Sequence, residues 1–326
     1  MRELEREPFA AMGTACMVAV AARPSDAALA SRALAAGRRE VGACERALSR
    51  FDPESDLSRL NRAEGAWVAV DVRLVEALAA AREARAETGG LFDPTILPAL
   101  TAAGYDRSFE RLTRRAPLPL DGWRAGARID VDPGSRRARL APGAAVDLGG
   151  IGKGFSAVRA LVAMRTAWPA LTGALVDLGG DIAVSGTAPE GGTWRVDIAD
   201  PRAADRVAGT LALTHGGVAT SGRDTRRFGP DGRLHHLIDP ATGAPAESGP
   251  LSVTVSAPTA TAAEVHATAL AVVGIDTARA YLASRPELGA LVIPHSGEPV
   301  AIGRLPLARE RPRQRFVITM QGGRFS

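Results

Sequence analysis

The chain has 326 residues, of which 46 % are hydrophobic and 23 % are charged, and its formal net charge is +4 at pH 7. This length is enough to bury a substantial core, in one large domain or in two. Because the basic residues are spread among nearly as many acids, the composition argues against a nucleic-acid-binding protein. Two cysteines, Cys16 and Cys44, are too few for a disulfide framework or a zinc-binding pattern.

The N-terminal residues 1–8 are charged, and no apolar stretch with a cleavage site follows them. No run of about eighteen apolar residues occurs elsewhere, so no membrane span is predicted. Together with the low cysteine content, these features lead us to expect a cytoplasmic protein.

The first half of the chain contains two clear helical patterns. Apolar residues at helical spacing predict a helix from about 25 to 49, with Ser25 as its N-cap. A second helix is predicted from Val72 to Glu87, where Gly89 and Gly90 supply its end. The residues 112–139 mix proline, arginine and short apolar pieces, and they give no clear prediction. They fall within a possible sub-lobe at 100–145.

From Arg137 onward the pattern alternates between strands and helices. Strands are predicted before 146–150 and before 176–180, and then at 194–198, 210–214, 234–238, 251–256, 290–293 and 315–319. Helices are predicted at 153–168, 261–273 and 276–284. This order is typical of the α+β class, with mixed sheets and flanking helices in a single domain that spans 1–326.

The pentapeptide Val-Asp-Leu-Gly-Gly occurs twice, at 146–150 and at 176–180. Each copy closes a short apolar run with an acid and two glycines, which predicts the end of a buried strand that enters a tight turn. Two such ends side by side would form a small polar floor. The recurrence does not continue, so the chain is not a repeat array.

The glycine-rich loop after the first copy matches neither common phosphate-binding motif. A P-loop requires Ser or Thr where Gly154 stands and glycine where Asp147 stands, and the dinucleotide fingerprint requires glycine where Phe155 stands. The loop still offers small residues, the N-terminal end of a helix and the charge of Lys153, all of which favour phosphate. A turn without a ligand is an equal alternative for this loop taken alone.

Two adjacent histidines, His235 and His236, precede the turn sequence 239–243. Neighbouring residues of a strand face opposite sides, so one histidine can point into a site while the other packs or faces solvent. The same geometry argues against a metal site built from both histidines and Asp239.

Eight stretches, taken in their order along the chain, resemble the ApbE family of FAD:protein FMN transferases. The resemblance runs from Ala11 to about Gly274. The stretches are 12–14, 49–61, 88–95, 147–154, 178–181, 219–222, 236–243 and 263–269. The resemblance implies an α+β fold with two lobes around an FAD cleft. It also implies an enzyme that cleaves the FAD pyrophosphate with Mg²⁺, attaches FMN to a Thr or Ser of a target protein through a phosphoester, and releases AMP.

The resemblance also assigns roles to individual residues. It places His236 as the base that deprotonates the acceptor hydroxyl. It assigns Mg²⁺ to the carbonyl of Gly150 and the side chains of Glu264 and Thr268. It assigns FAD contacts to Met12, Phe51, Leu91, Phe92, Asp93, Asp147, Lys153 and Ile238, with Lys153 near the pyrophosphate. Oxygen donors suit Mg²⁺, and residues four apart share one face of a helix.

Three positions depart from the family pattern: Glu264 replaces the usual Asp, Val158 a usual acid, and Asp177 a usual Asn. Glu264 carries its carboxylate about 1.5 Å further out than Asp. With Thr261 it also matches a capping box, an alternative that we weigh below metal binding. Two alternative functions are an FAD pyrophosphatase that uses water as nucleophile and a non-catalytic FAD-binding protein.

Overall fold

The structure is a computed structural model that describes residues 1–108, 111–112, 117–120, 122–189, 191–223, 227–229, 234–247, 249–308 and 318–319. Its helices are α1 Ala27–Leu48, α2 Asp56–Asn61, α3 Val72–Glu87, α4 Leu97–Ala103, α5 Gly152–Ala167, α6 Ala260–Ala271 and α7 Ile275–Ala283. Its strands are β1 Glu3–Ala11, β2 Thr14–Ala22, β3 Val68–Ala69, β4 Ile129–Asp132, β5 Arg137–Leu140, β6 Gly173–Leu178, β7 Asp181–Gly186, β8 Trp194–Asp200, β9 Ala203–Leu213, β10 His215–Gly222, β11 Arg227–Phe228, β12 Leu234–His235, β13 Ser252–Ala257, β14 Gly289–Ile293, β15 Val300–Gly303 and β16 Ile318–Thr319.

The fold is built on one antiparallel sheet of eight strands in the order β1-β2-β6-β7-β10-β13-β14-β15. Helices α1 and α5 pack on one face of β2 and β6, and the smaller sheet that contains β8 and β9 packs on the other. Helices α6 and α7 likewise pack on β13 and β14, and these two strands are buried along their whole length.

The small sheet β3-β5-β4 and the helices α2 and α3 form the second large part of the core. Its strands β4 and β5 lie within or beside the 112–139 segment, for which no clear element was predicted. The strands are only four residues long, which is too short to show a periodicity. We find the α+β class confirmed, with sheets and helices mixed along the chain.

Several predicted elements are confirmed within a few residues, namely α3, α5, α6, α7, β8, β13 and β14. Other predictions are corrected by the structure. A 3₁₀ turn at Pro24–Asp26 precedes α1, and Asp26 rather than Ser25 occupies the N-cap position. The strand predicted at 234–238 is limited to β12, and Ile238 forms an isolated bridge with Pro245. Of the strand predicted at 315–319, residues 315–317 lie outside the described residues. Within the described part of the chain, no helix is long and apolar enough to cross a membrane.

Candidate functional site

The first Val-Asp-Leu-Gly-Gly copy is a loop, and the strand predicted to run into it from Arg137 ends at Leu140 as β5. The side-chain amide of Asn61 donates to the carbonyl of Val146 (2.9 Å) and accepts from its amide N–H (2.8 Å). The amide of Asp147 donates to the carbonyl of Pro94 at 2.8 Å. A side chain and a neighbouring loop thus satisfy the backbone groups that a sheet would otherwise pair. The loop leads directly into α5.

The second copy is a β-hairpin turn between β6 and β7. Gly179 and Gly180 have φ values of 69° and 96°, the left-handed pair that suits a two-residue hairpin loop. The Asp177 carboxylate accepts from the amide of Gly180 at 2.8 Å. Asp181 follows at once as the first residue of β7.

A cluster of three charged side chains joins the two turns. The ammonium of Lys153, in the first turn of α5, forms an ion pair with Asp181 Oδ2 and lies 3.8 Å from Glu264 Oε1. The carboxylates of Asp181 and Glu264 are almost fully buried, whereas about a fifth of the lysine side chain is exposed. Buried carboxylates are stable only when cations or hydrogen bonds compensate them.

Glu264 contacts the N-terminus of the neighbouring helix α5, where its Oε2 accepts from the amide of Gly154 at 2.7 Å. The capping-box alternative is therefore wrong. Helix α6 begins at Ala260 with Thr259 as its N-cap, so Glu264 lies too far along the helix to reach its own start. Burial raises the pKa of Glu264 above its usual range, opposed by Lys153 and by the helix amide.

The three residues assigned to Mg²⁺ come together. A Cβ atom placed on Gly150 would lie 3.0 Å from Thr268 Oγ1, and Thr268 is one helical turn after Glu264 on α6. Glu264 Oε1 is buried and has no hydrogen-bond partner among the described residues. A carbonyl, a carboxylate and a hydroxyl are the hard oxygen donors that Mg²⁺ takes, and a buried carboxylate oxygen without a hydrogen-bond partner is available to a cation. The residues present therefore fit the metal.

A group of aromatic rings links the first loop to His236. Arg50 Nε lies 2.5 Å from Asp147 Oδ2, and its guanidinium packs over the rings of Phe51 (4.1 Å) and Tyr105 (4.6 Å). The Tyr105 ring in turn lies 6.4 Å from the His236 imidazole, measured between centroids. Phe51 is 43 % exposed, so its ring is available to a ligand. Phe51, Asp147 and His236 are thus brought together by two residues that the sequence did not indicate.

The two adjacent histidines lie in different surroundings. His235 is buried, and its Nε2 lies 3.0 Å from the carbonyl oxygen of Ala246. Burial lowers the pKa of His235, which favours a neutral, structural histidine. His236 is only partly buried and lies beside Tyr105.

The remaining predicted FAD contacts are divided between loops and core. Phe92 is buried, with its ring edge 3.2 Å from a Cβ placed on Gly150. The carboxylate of Asp93 is fully enclosed, bonded to Arg85 (2.8 Å) and to Thr95 (2.6 Å), so it holds the 91–95 loop in place. Leu91 and Met12 are partly buried, and Met12 occupies the β1–β2 turn with a φ of 53°. Ile238 is buried in an apolar cluster with Tyr105 and Phe228.

One compositional signal for this site is visible in the sequence but was missed. Lys153 is the only lysine among the 40 lysine and arginine residues of the chain. Arginine and lysine are not interchangeable where a compact ammonium is required. The single lysine of the chain therefore indicates a position at which a compact ammonium is required and a guanidinium does not fit.

Comparison with known proteins identifies the family of the chain. The model of the ApbE family matches residues 12–292. The FAD:protein FMN transferase of Treponema pallidum is 36 % identical over 270 residues, covering 76 % of this chain and 73 % of that protein. The FAD:protein FMN transferase of Salmonella typhimurium is 29 % identical, covering 77 % and 73 %. The crystal structure of the ApbE protein of Thermotoga maritima superposes with a TM-score of 0.79 at 28 % identity, covering 92 % of this chain and 97 % of that one. The chain belongs to the ApbE family.

Proposed function

We propose that this protein transfers FMN from FAD to a Thr or Ser hydroxyl of an acceptor protein, with Mg²⁺, and releases AMP. The observation that carries the proposal is the convergence of Gly150, Lys153, Glu264 and Thr268 where the two glycine turns meet. The relatives named FAD:protein FMN transferase support the same activity.

Gly150, Glu264 and Thr268 would hold Mg²⁺, which when bound neutralises charge on the FAD pyrophosphate. Lys153, whose side chain is partly exposed, would bind an oxygen of the same pyrophosphate. Phosphoryl transfer depends mostly on positioning and charge neutralisation, so this set of residues is sufficient for the chemistry.

His236 would accept the proton of the acceptor hydroxyl. The hydroxyl oxygen then attacks the phosphorus atom on the FMN side of the pyrophosphate, and the bond from that phosphorus to the bridging oxygen breaks. The bridging oxygen leaves with its electron pair on AMP, while the proton remains on His236. Imidazole changes its protonation near neutral pH, and a placed base contributes about 10²- to 10⁴-fold to a rate.

The cleft would hold FAD through its rings and its first loop. Phe51 is exposed enough to pack on an aromatic ring of the ligand. Arg50 fixes Asp147 and orders Phe51 and Tyr105, and Tyr105 packs against the His236 ring. This contact orients the imidazole at the edge of the cleft.

The test is to incubate the purified protein with FAD, Mg²⁺ and an acceptor domain that carries a suitable Thr, and to measure acceptor mass and AMP. The proposal predicts an acceptor heavier by one FMN residue, together with AMP. AMP with an unmodified acceptor would indicate the pyrophosphatase instead. Neither product, with FAD still bound, would indicate the binding protein.

The role of His236 is tested by His236→Ala, with His295→Ala as the matched control, because His295 lies in an exposed loop outside the cluster. We expect His236→Ala to lower the transfer rate by about 10²- to 10⁴-fold without loss of FAD binding. His295→Ala should change neither. Transfer at the wild-type rate in His236→Ala would exclude His236 as the base.

A further inference from the structure

The sole lysine of the chain is held by a residue that has no assigned role. Asp181 begins β7 directly after the left-handed glycines of the second turn, and its carboxylate accepts from the Lys153 ammonium. The hairpin fixes the position of Asp181, because its neighbours on both sides belong to the turn and to the central sheet. The lysine therefore meets a carboxylate that does not move with the loop.

The exposures of the two side chains show how the pair is oriented. The Asp181 side chain is 2 % exposed and that of Lys153 is 22 % exposed. The carboxylate is therefore enclosed by the protein, while part of the lysine side chain remains accessible to solvent. An ammonium has three N–H donors, so it can bind more than one acceptor.

Glu264 lies next to the same ammonium but does not hydrogen-bond to it, since Lys153 Nζ is 3.8 Å from Glu264 Oε1. Without Asp181, Glu264 would be the nearest remaining carboxylate that forms an ion pair with the lysine. A lysine paired with Glu264 would use the carboxylate oxygen that has no hydrogen-bond partner among the described residues. The location of Lys153 thus decides whether that oxygen is available to a cation.

We propose that Asp181 is a positioning residue, which anchors Lys153 so that its ammonium binds a substrate phosphate while Glu264 remains available to the metal. The inference rests on the proposed function. It explains why this position keeps a lysine in a chain that uses arginine elsewhere. An ammonium is compact enough to lie between two buried carboxylates, whereas the planar fork of a guanidinium spans a wider arc.

The contact is tested first in the full-length protein without FAD. Lys153 carries the only side-chain amine, so an acetylating reagent reports on it directly by mass spectrometry, with the N-terminal amine as internal reference. We expect Asp181→Asn to label about tenfold faster at Lys153, because the amine loses the ion pair that holds it against a buried carboxylate and becomes more accessible to the reagent. Asp197→Asn, a buried aspartate in β8, is the control and should label like wild type. An unchanged rate in Asp181→Asn would overturn the inference.

The second test measures FAD affinity in a double-mutant cycle of Asp181→Asn and Lys153→Met. Asp181→Asn should weaken FAD binding about tenfold alone and have no further effect in the Lys153→Met background, because it acts through the lysine. Fully additive effects would contradict the inference. If Asp181→Asn does not fold, Asp181→Ser with a matching thermal midpoint replaces it, since a structural role alone predicts no coupling. Failure of the wild type to bind FAD would defeat the proposed function, whereas the labelling result would still decide the Asp181 contact.

Discussion

The two Val-Asp-Leu-Gly-Gly segments have the same five residues and different structures. At 146–150 the Asp147 carboxylate accepts from the amide two residues ahead, Gly149, and neither glycine adopts a left-handed φ. At 176–180 the Asp177 carboxylate accepts from the amide three residues ahead, Gly180, and both glycines are left-handed. The pentapeptide alone does not determine its conformation.

The flanking residues account for the difference. After the first copy the chain enters α5, and Asn61 and Pro94 hold the loop from outside. After the second copy the chain continues into β7, whose pairing with β6 requires a hairpin turn. The glycines of the first copy provide space beside Thr268, while those of the second provide backbone conformation. The first turn is therefore expected to matter for chemistry and the second for stability.

The largest effect is expected from Gly150→Ala. The added Cβ would lie 3.0 Å from Thr268 Oγ1 and 3.2 Å from Phe92, in the space between the Mg²⁺ donors. We expect transfer to fall about 100-fold, the scale of a lost electrostatic contact in a transition state. The free energy of unfolding should change by less than about 1 kcal/mol, since Gly150 has no left-handed φ to strain. Initial rates measure transfer, and urea unfolding measures the free energy of unfolding. A large loss of unfolding free energy with transfer near the wild-type rate would contradict the role given to the first turn.

The complementary substitution in the second turn is Gly179→Ala. Its Cβ would lie 2.2 Å from Thr14 Oγ1, at a φ of 69°. We expect the free energy of unfolding to fall by about 2–4 kcal/mol from combined strain and overpacking. Gly191→Ala is the control, since its φ is 76° but no atom lies within 4 Å of the added Cβ. It should cost only about 1 kcal/mol. Equal losses in both variants would show that the contact with Thr14 carries no energy.

The side chain of Asn61 bonds the backbone of Val146, which a neighbouring strand was predicted to pair. Asn61→Ala removes both hydrogen bonds to Val146 and should lower the free energy of unfolding by about 1–3 kcal/mol. Asn61→Asp keeps the acceptor and loses the donor, so we expect an intermediate value. Chemical denaturation of the three proteins tests the order, and a wild-type midpoint for Asn61→Ala would contradict this account of the loop.

The smallest effect is expected at Asp177, whose pKa burial raises to about 6 from an ordinary value of 3.8. The folded protein holds this proton more tightly than the unfolded chain, so the stabilising contribution is complete below about pH 4 and is lost as pH rises through 6. Asp177→Asn keeps an acceptor for Gly180 and removes the charge. Its stability relative to wild type should therefore increase between pH 4 and 6 and then level off. Because Asp177 is partly exposed, we expect a plateau of about 1–2 kcal/mol. If the difference in unfolding free energy between Asp177→Asn and wild type did not vary with pH, the raised pKa of Asp177 would be contradicted.

The helices were the most predictable part of the fold. Regular apolar spacing, with Gly89 and Gly90 as a stop, placed α3 at its observed bounds. The strand predicted to run into the first turn ends at Leu140, because the backbone partners of Val146 and Asp147 are the distant Asn61 and Pro94 rather than a neighbouring strand. A local pattern carries no information about such partners.

The candidate site was predicted more through resemblance than through local pattern. Glu264 and Thr268 lie one helical turn apart, which the sequence shows directly. The approach of Gly150 to Thr268, the contact of Glu264 with α5 and the contact of Asp181 with Lys153 are tertiary. The roles of Arg50 and Tyr105 arise from ring packing between segments far apart in the chain.

The central claim is that the first turn, and not the second, forms the metal and phosphate site. Calorimetric titration of Mg²⁺ into protein saturated with FAD tests it most directly in wild type, Glu264→Gln and Asp177→Asn. We predict one saturable Mg²⁺ site in wild type, its loss in Glu264→Gln and its retention in Asp177→Asn. Equal Mg²⁺ binding in all three proteins, or loss only in Asp177→Asn, would contradict the account.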